Sequence, residues 1–131
     1  MSILNRLEKS IENSTLKYAK KLDFIVLKLN NPASKGWPDR LFIDDEAVHF
    51  YIEFKRKGSK ARKLQEYRIE TLAAKGCIVY EIDNIKEGLN VIRYHKNKRN
   101  MDTPPISRRF SGDYGFTISS GIIIRPRSGE N

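Results

Sequence analysis

Two short runs rich in strand-forming residues, Arg40–Ile43 and Ala47–Lys55, flank the tight acidic stretch Asp44-Asp45-Glu46. That arrangement constrains the chain more than any other, because so short a polar interruption leaves room only for a turn. The two runs are predicted to pair as an antiparallel hairpin. Side chains two apart on a strand leave the same face. Glu53 and Lys55 therefore emerge side by side, while Phe54 turns into the core.

The rest of the chain can be laid around this hairpin. Ile3, Leu4, Leu7, Ile11, Leu16 and Ala19 recur near a 3.6-residue period, which predicts a helix capped by Ser2 and closed by a turn at Asp23. Phe24–Leu29 is short and apolar, as a buried strand should be, and 30–38 is a loop by its turn residues. Beyond the hairpin comes a basic loop, 56–60. Ser59 or a neighbour can start a second helix carrying Leu64, Tyr67, Ile69, Leu72 and Ala73, with Gly76 as its stop. Cys77–Ile82 reads as a fourth strand. Asp83 or Asn84 can cap a last helix with Ile85, Leu89 and Ile92 on one face. The order is that of an α/β domain, a small mixed β-sheet flanked by helices, over 1–99. Residues 100–131 form a basic tail, broken by Asp102-Thr103-Pro104-Pro105, that is either loose or adds an edge strand. Within it only Gly121–Ile124 looks strand-like.

Charge narrows the partners. Lys and Arg number 25 against 16 Asp and Glu, a formal charge of +9 over 131 residues. Such an excess draws in polyanions. Nucleic acid comes first, with an anionic membrane surface as the rival and a basic protein without a special ligand as the plain alternative. The lone Cys77 excludes an internal disulfide and reads as a small core residue; no Cys/His cluster offers a zinc site. An intracellular, cytoplasmic setting is expected. Met1 to Asn13 lacks the apolar centre of a signal peptide, and no apolar run approaches the roughly 20 residues of a membrane span.

Chemistry enters with Asp39, Glu53 and Lys55. Taken alone, Glu53 and Lys55 read first as a surface ion pair, and Asp39 after Pro38 is equally a turn or cap residue. The hairpin, however, sets Asp39 across from the end of the third strand, close to Glu53. Two carboxylates at short range repel unless something positive sits between them. All-oxygen ligation suits Mg²⁺ or Mn²⁺. Lys28, Lys35 and Arg40 lie near this point; Arg56, Lys57, Lys60, Arg62 and Lys63 follow it. They can hold a DNA backbone or form a solvated basic loop. His49 shares the parity of Tyr51 and Glu53 and could face the same site.

Pro38-Asp39, a gap, then Glu53-Phe54-Lys55 resembles the signature of the PD-(D/E)XK nuclease superfamily. More narrowly, the chain resembles the virus-type replication-repair nuclease (VRR-NUC) family from about Glu8 to Asp83. The matches are Ile11-Glu12, Lys28-Leu29-Asn30, Gly36-Trp37-Pro38-Asp39-Arg40, Ile52-Glu53-Phe54-Lys55 with Gly58, and Gln65 followed by Gly76. The resemblance implies a restriction-endonuclease-like core and a Mg²⁺- or Mn²⁺-dependent DNA endonuclease. Asp39, Glu53 and the Phe54 carbonyl would bind the metal, with Glu12 reaching it through water. Lys55 would act on the attacking water or the charged transition state, and Gln65 would support the site. Glu8, one turn before Glu12, is the second candidate for the helical acid. The family often has a small residue where Trp37 stands, so Trp37 could stack on a base or pack at a subunit contact. Stand-alone viral members resemble Holliday-junction resolvases and form homodimers. The resemblance thus implies a homodimer cutting branched DNA in phage or mobile-element replication and repair. A non-catalytic nucleic-acid-binding module with the same fold is the alternative, which the intact Asp39, Glu53, Lys55 and Gln65 argue against.

Overall fold

The computed structural model describes residues 2–29, 33, 35–59 and 62–97, and the backbone alone of 109–111 and 115–117. Helix α1 spans Ile3–Lys21, and the Ser2 hydroxyl accepts from the Asn5 N–H, as an N-cap should. Then come β1 (Ile25–Lys28), β2 (Arg40–Ile43), β3 (His49–Phe54), α2 (Lys63–Ala74), β4 (Ile78–Ile82) and α3 (Ile85–Lys96). Short strands β5 (Arg109–Ser111) and β6 (Gly115–Thr117) complete one sheet of order β1-β2-β3-β4-β5-β6. Only β3 and β4 run parallel; α2 supplies their crossover.

The predicted hairpin is present, with Arg40 opposite Ile52 and Ile43 opposite His49. Its turn is built on Asp44, whose Oδ1 accepts from the N–H groups of Glu46 and Val48 at 2.8 and 3.0 Å. Ala47 sits at φ +62°, inside the turn, so β3 starts later than residue patterning suggested. Asn84, not Asp83, caps α3 by accepting from the Glu87 N–H at 2.9 Å.

Alternation along β3 and β4 splits the interior in two. Phe50, Ile52, Phe54, Tyr80 and Ile82 meet α1 and α3 through Ile11, Leu16, Ala19, Val91 and Ile92. At the centre, Phe50 stacks between Phe42 and His95, with ring centroids 5.1 and 3.9 Å away. The opposite face of β4 packs Val79 against Ile69 and Ala73 of α2, with Cys77 half-buried beside them.

One expectation fails here, and two apolar helix stripes are buried only in part. β1 is an edge strand, not a buried one: Ile25 and Leu27 are 55% and 45% exposed, because α2 does not extend over this part of the sheet. α2 begins at Lys63, and its buried stripe is Ile69 and Ala73, leaving Leu64 and Tyr67 exposed. In α1, Ile3 and Leu7 are likewise exposed, so only the later part of that stripe is core. In the tail, sheet pairing falls at Arg109–Ser111 and Gly115–Thr117, whereas Gly121–Ile124 lies outside the described residues.

α1 and α3 touch where Gly88 meets Thr15, which is fully buried and donates to the Ile11 carbonyl at 2.9 Å. A Cβ on Gly88 would collide with the Thr15 hydroxyl. Gly88→Ala is therefore expected to destabilise the chain by about 1–3 kcal/mol, although helix propensity alone would favour it by about 1 kcal/mol. Urea unfolding of the variant checks this, and a rise in stability would refute the close helix contact.

Candidate active site

The registered ladder between β2 and β3 ends at Arg40 and Ile52; continued, it would set the buried Pro38, which has no N–H to give, opposite Phe54. The Phe54 N–H is met instead by a side chain: Asp39 Oδ2 accepts from it at 2.8 Å. The N–H and C=O of one strand residue point to the same side. The Phe54 carbonyl is therefore turned toward Asp39, while the next N–H, of Lys55, bonds the Ile82 carbonyl of β4.

Glu53 and Lys55 leave β3 on the α2 side, and both are buried. Gln65, in the first turn of α2, holds the two together. Its Oε1 accepts from Lys55 Nζ at 2.7 Å, and its Nε2 donates to Glu53 Oε2 at 2.7 Å. Lys55 Nζ also lies 3.3 Å from Glu53 Oε2. The same Gln65 oxygen accepts from the Arg62 N–H at 3.0 Å, which ties the start of α2 to the site. Asp39, Glu53, Lys55 and Gln65 thus converge on one open cleft of about 690 Å³ between the start of α1, the loop before β2 and the start of α2.

The two carboxylates share a hydrogen bond, and their charges are held apart by protonation. Burial, first of all, pushes Glu53 up to about 9, and the neighbouring Asp39 adds to the effect against the opposing pull of Lys55. Burial also raises Asp39, against the lowering effect of its hydrogen bonds from Glu53 and Phe54. With both carboxylates raised, the pair holds a proton that either group would release in open water.

The helical acids are arranged differently from expectation. Glu12 forms an ion pair with Arg40 at 2.7 Å and a longer one with Lys9 at 3.3 Å. It acts on Asp39 through space, raising its pKa, but does not line the cleft. Glu8 does, together with Asn5. Arg40, counted among the DNA-binding residues, is committed to Glu12, with only 15% of its side chain exposed. Lys35, Arg56 and Arg62 line the cleft, Lys28, Lys57 and Lys63 are exposed away from its lining, and Lys60 lies outside the described residues. His49 is at the far end of β3, with its ring against the Ala47 carbonyl, so shared parity does not bring it to the site. By local sequence Glu81 is a plain strand residue, yet β3–β4 register sets it beside Glu53, and it is buried. Its signal would have been the alignment of the two strands, which no local pattern encodes.

The donor set suits a divalent cation that prefers oxygen. Among the described residues no three His, Cys, Asp or Glu side chains cluster into a cage. Two carboxylates and a carbonyl fit the way Mg²⁺ is usually held, with water and substrate phosphate completing its shell.

Among solved structures, one described as a VRR_NUC domain superimposes with a TM-score of 0.61, covering 67% of this chain and 96% of that one. The fold is that of a VRR_NUC domain. At 22% identity the likeness extends to the fold alone. No sequence-family model and no curated protein sequence matches the chain. In that VRR_NUC-like fold no described helix is long and apolar enough to cross a membrane.

A raised carboxylate pKa has a sign. The folded chain keeps a proton on Glu53 that the unfolded chain releases near the ordinary value of 4.5. Without metal, stability should therefore fall as pH climbs from about 4.5 toward 9. Glu53→Gln is expected to flatten that decline and to stabilise the metal-free chain at the alkaline end by about 1–3 kcal/mol. Thermal melts in EDTA across this range test it; parallel curves for the two proteins would show that Glu53 titrates normally.

Proposed function

We propose that the chain is a metal-dependent DNA endonuclease that hydrolyses phosphodiester bonds. The convergence of Asp39 and Glu53 beside Lys55 and Gln65, in an open cleft of a nuclease-fold domain, carries this reading. A chain that only bound a polyanion would gain nothing from burying two carboxylates at the point of contact. The basic surroundings, Lys35, Arg56 and Arg62, match the charge of a phosphate backbone.

Asp39, Glu53 and the Phe54 carbonyl would hold Mg²⁺ or Mn²⁺. When bound, such an ion lowers the pKa of its water and relieves charge on the phosphate. Lys55 presents a fixed ammonium to the same phosphate, and its position is set by Gln65. Loading the site displaces the Glu53 proton, so affinity should rise with pH. Glu8 is better placed than Glu12 to meet water or ligand in the cleft, since Glu12 is occupied by Arg40. Branched DNA and a homodimer belong to the same proposal. The open face of β1 and β2, with Ile25 and Leu27 exposed and Leu41 and Ile43 half-buried, supplies an aliphatic surface for a second copy.

Plasmid nicking and a panel of four-way junction, flap, single strand and duplex, each with Mg²⁺, Mn²⁺ or EDTA, test the proposal. Glu53→Ala and Lys55→Ala are expected to lose at least about 100-fold in rate while DNA binding persists. Gln65→Ala should lose about 10- to 100-fold, as supporting residues of metal sites do, and Glu8→Gln should cost more than Glu12→Gln. Equal cleavage by wild type and Glu53→Ala would end the nuclease reading; equal rates on all substrates would end structure selectivity alone.

A further inference from the structure

The loop that leads into Asp39 is pressed against α2. Gly36 sits at φ +87°, and a Cβ there would stand 2.6 Å from Leu64 Cγ and 3.3 Å from Arg68 Cγ. Only glycine meets both demands. The seating lays Trp37 beside α2, where the Arg68 guanidinium lies 4.4 Å from the Trp37 ring centroid and 5.9 Å from that of Tyr67. Arg68 Nε is buried and has no hydrogen-bond partner among the described residues, so stacking rather than a carboxylate holds this cation. Tyr67 is 60% exposed and Leu64 45% exposed.

This cation–aromatic stack begins where the cleft ends. Lys35 and Gly36, immediately before Trp37, line the cleft, as do Arg62 and Gln65, one turn before the stack on α2. A scattered exposed tyrosine or leucine needs no explanation. An open aromatic face, a guanidinium with no carboxylate partner among the described residues and an adjoining basic cleft together match one ligand chemistry, a π-faced base attached to a phosphate. In a duplex the faces of the bases are already stacked on one another, so only an unpaired base can offer its face to Tyr67.

We propose that the Trp37–Arg68–Tyr67 stack is a platform for an unpaired nucleobase of the strand whose phosphate lies in the neighbouring cleft. The proposal rests on the reading of that cleft as a nucleic-acid site, and it makes the substrate a DNA with unpaired nucleotides beside the cut.

Trp37 is the chain's one tryptophan, so its emission reports on the platform directly. The full chain, in EDTA to prevent cleavage, is titrated with a short oligothymidylate and with an abasic strand of equal length and charge. Oligothymidylate is expected to change Trp37 emission and to bind about tenfold more tightly than the abasic strand. Tyr67→Ala removes an exposed ring and should close most of that gap while leaving abasic binding unchanged. Trp37→Leu, followed by anisotropy of a labelled strand, should do the same. Equal affinity for the two strands, or a preference that survives both substitutions, would overturn the platform. Metal-dependent cleavage is assayed separately: its presence without base-dependent binding removes the platform alone, and base-dependent binding without cleavage removes the nuclease reading alone.

Discussion

The hydrogen-bonded contact between Asp39 and Glu53 is the point around which the domain is arranged. Two carboxylates buried together are unfavourable: each loses water, and each repels the other's charge. The structure tolerates them because each oxygen system has a named partner. The Phe54 N–H supports Asp39, the Gln65 amide and the Lys55 ammonium support Glu53, and one retained proton removes a charge. Every one of these partners is fixed by a feature of the fold. The β2 ladder stops short of Pro38, β3 alternation aims Glu53 and Lys55 to one side, and the first turn of α2 delivers Gln65 from across the cleft.

A site with this electrostatic cost needs a rigid base. It is supplied by the other face of the same strand, where Phe50, Ile52 and Phe54 are almost completely buried among α1, α3 and β4. The period of two in β3 thus divides labour along a single segment, with even positions anchoring and odd positions presenting chemistry. His95 extends the anchor: its ring stacks on Phe50 and meets the Tyr80 hydroxyl at 2.8 Å, which links α3 to the sheet behind the site.

What could be read in advance followed from local rules. The hairpin, the pairing of Asp39 with the end of β3, the facing of Glu53 and Lys55 and the supporting place of Gln65 come from strand parity, turn chemistry and a family-like order of residues. What could not be read depended on distant surfaces. Whether Ile25 and Leu27 are buried depends on how far α2 reaches over the sheet, and whether Leu64 and Tyr67 are core depends on the crossover's angle; apolar periodicity encodes neither. Glu8 and Glu12 share a helix face, and only the place of Arg40, at the start of β2, decides which one is taken up by an ion pair.

The exposed side chains left over by that packing are unevenly distributed, and their distribution is informative. On the open half of the sheet they are aliphatic, Ile25 and Leu27 with the half-buried Leu41 and Ile43. Beside the cleft they are aromatic, joined by the Arg68 guanidinium. Aliphatic surface gains most from being covered by more of the same, whereas an aromatic ring next to an arginine gains from a flat, electron-rich partner carrying negative charge. The two surfaces therefore differ in kind, which is why the proposals give them different occupants, a second copy on the aliphatic one and an unpaired base on the aromatic one. The cleft with its carboxylate pair opens on the side that carries the arginine, where a phosphate backbone has charge to meet.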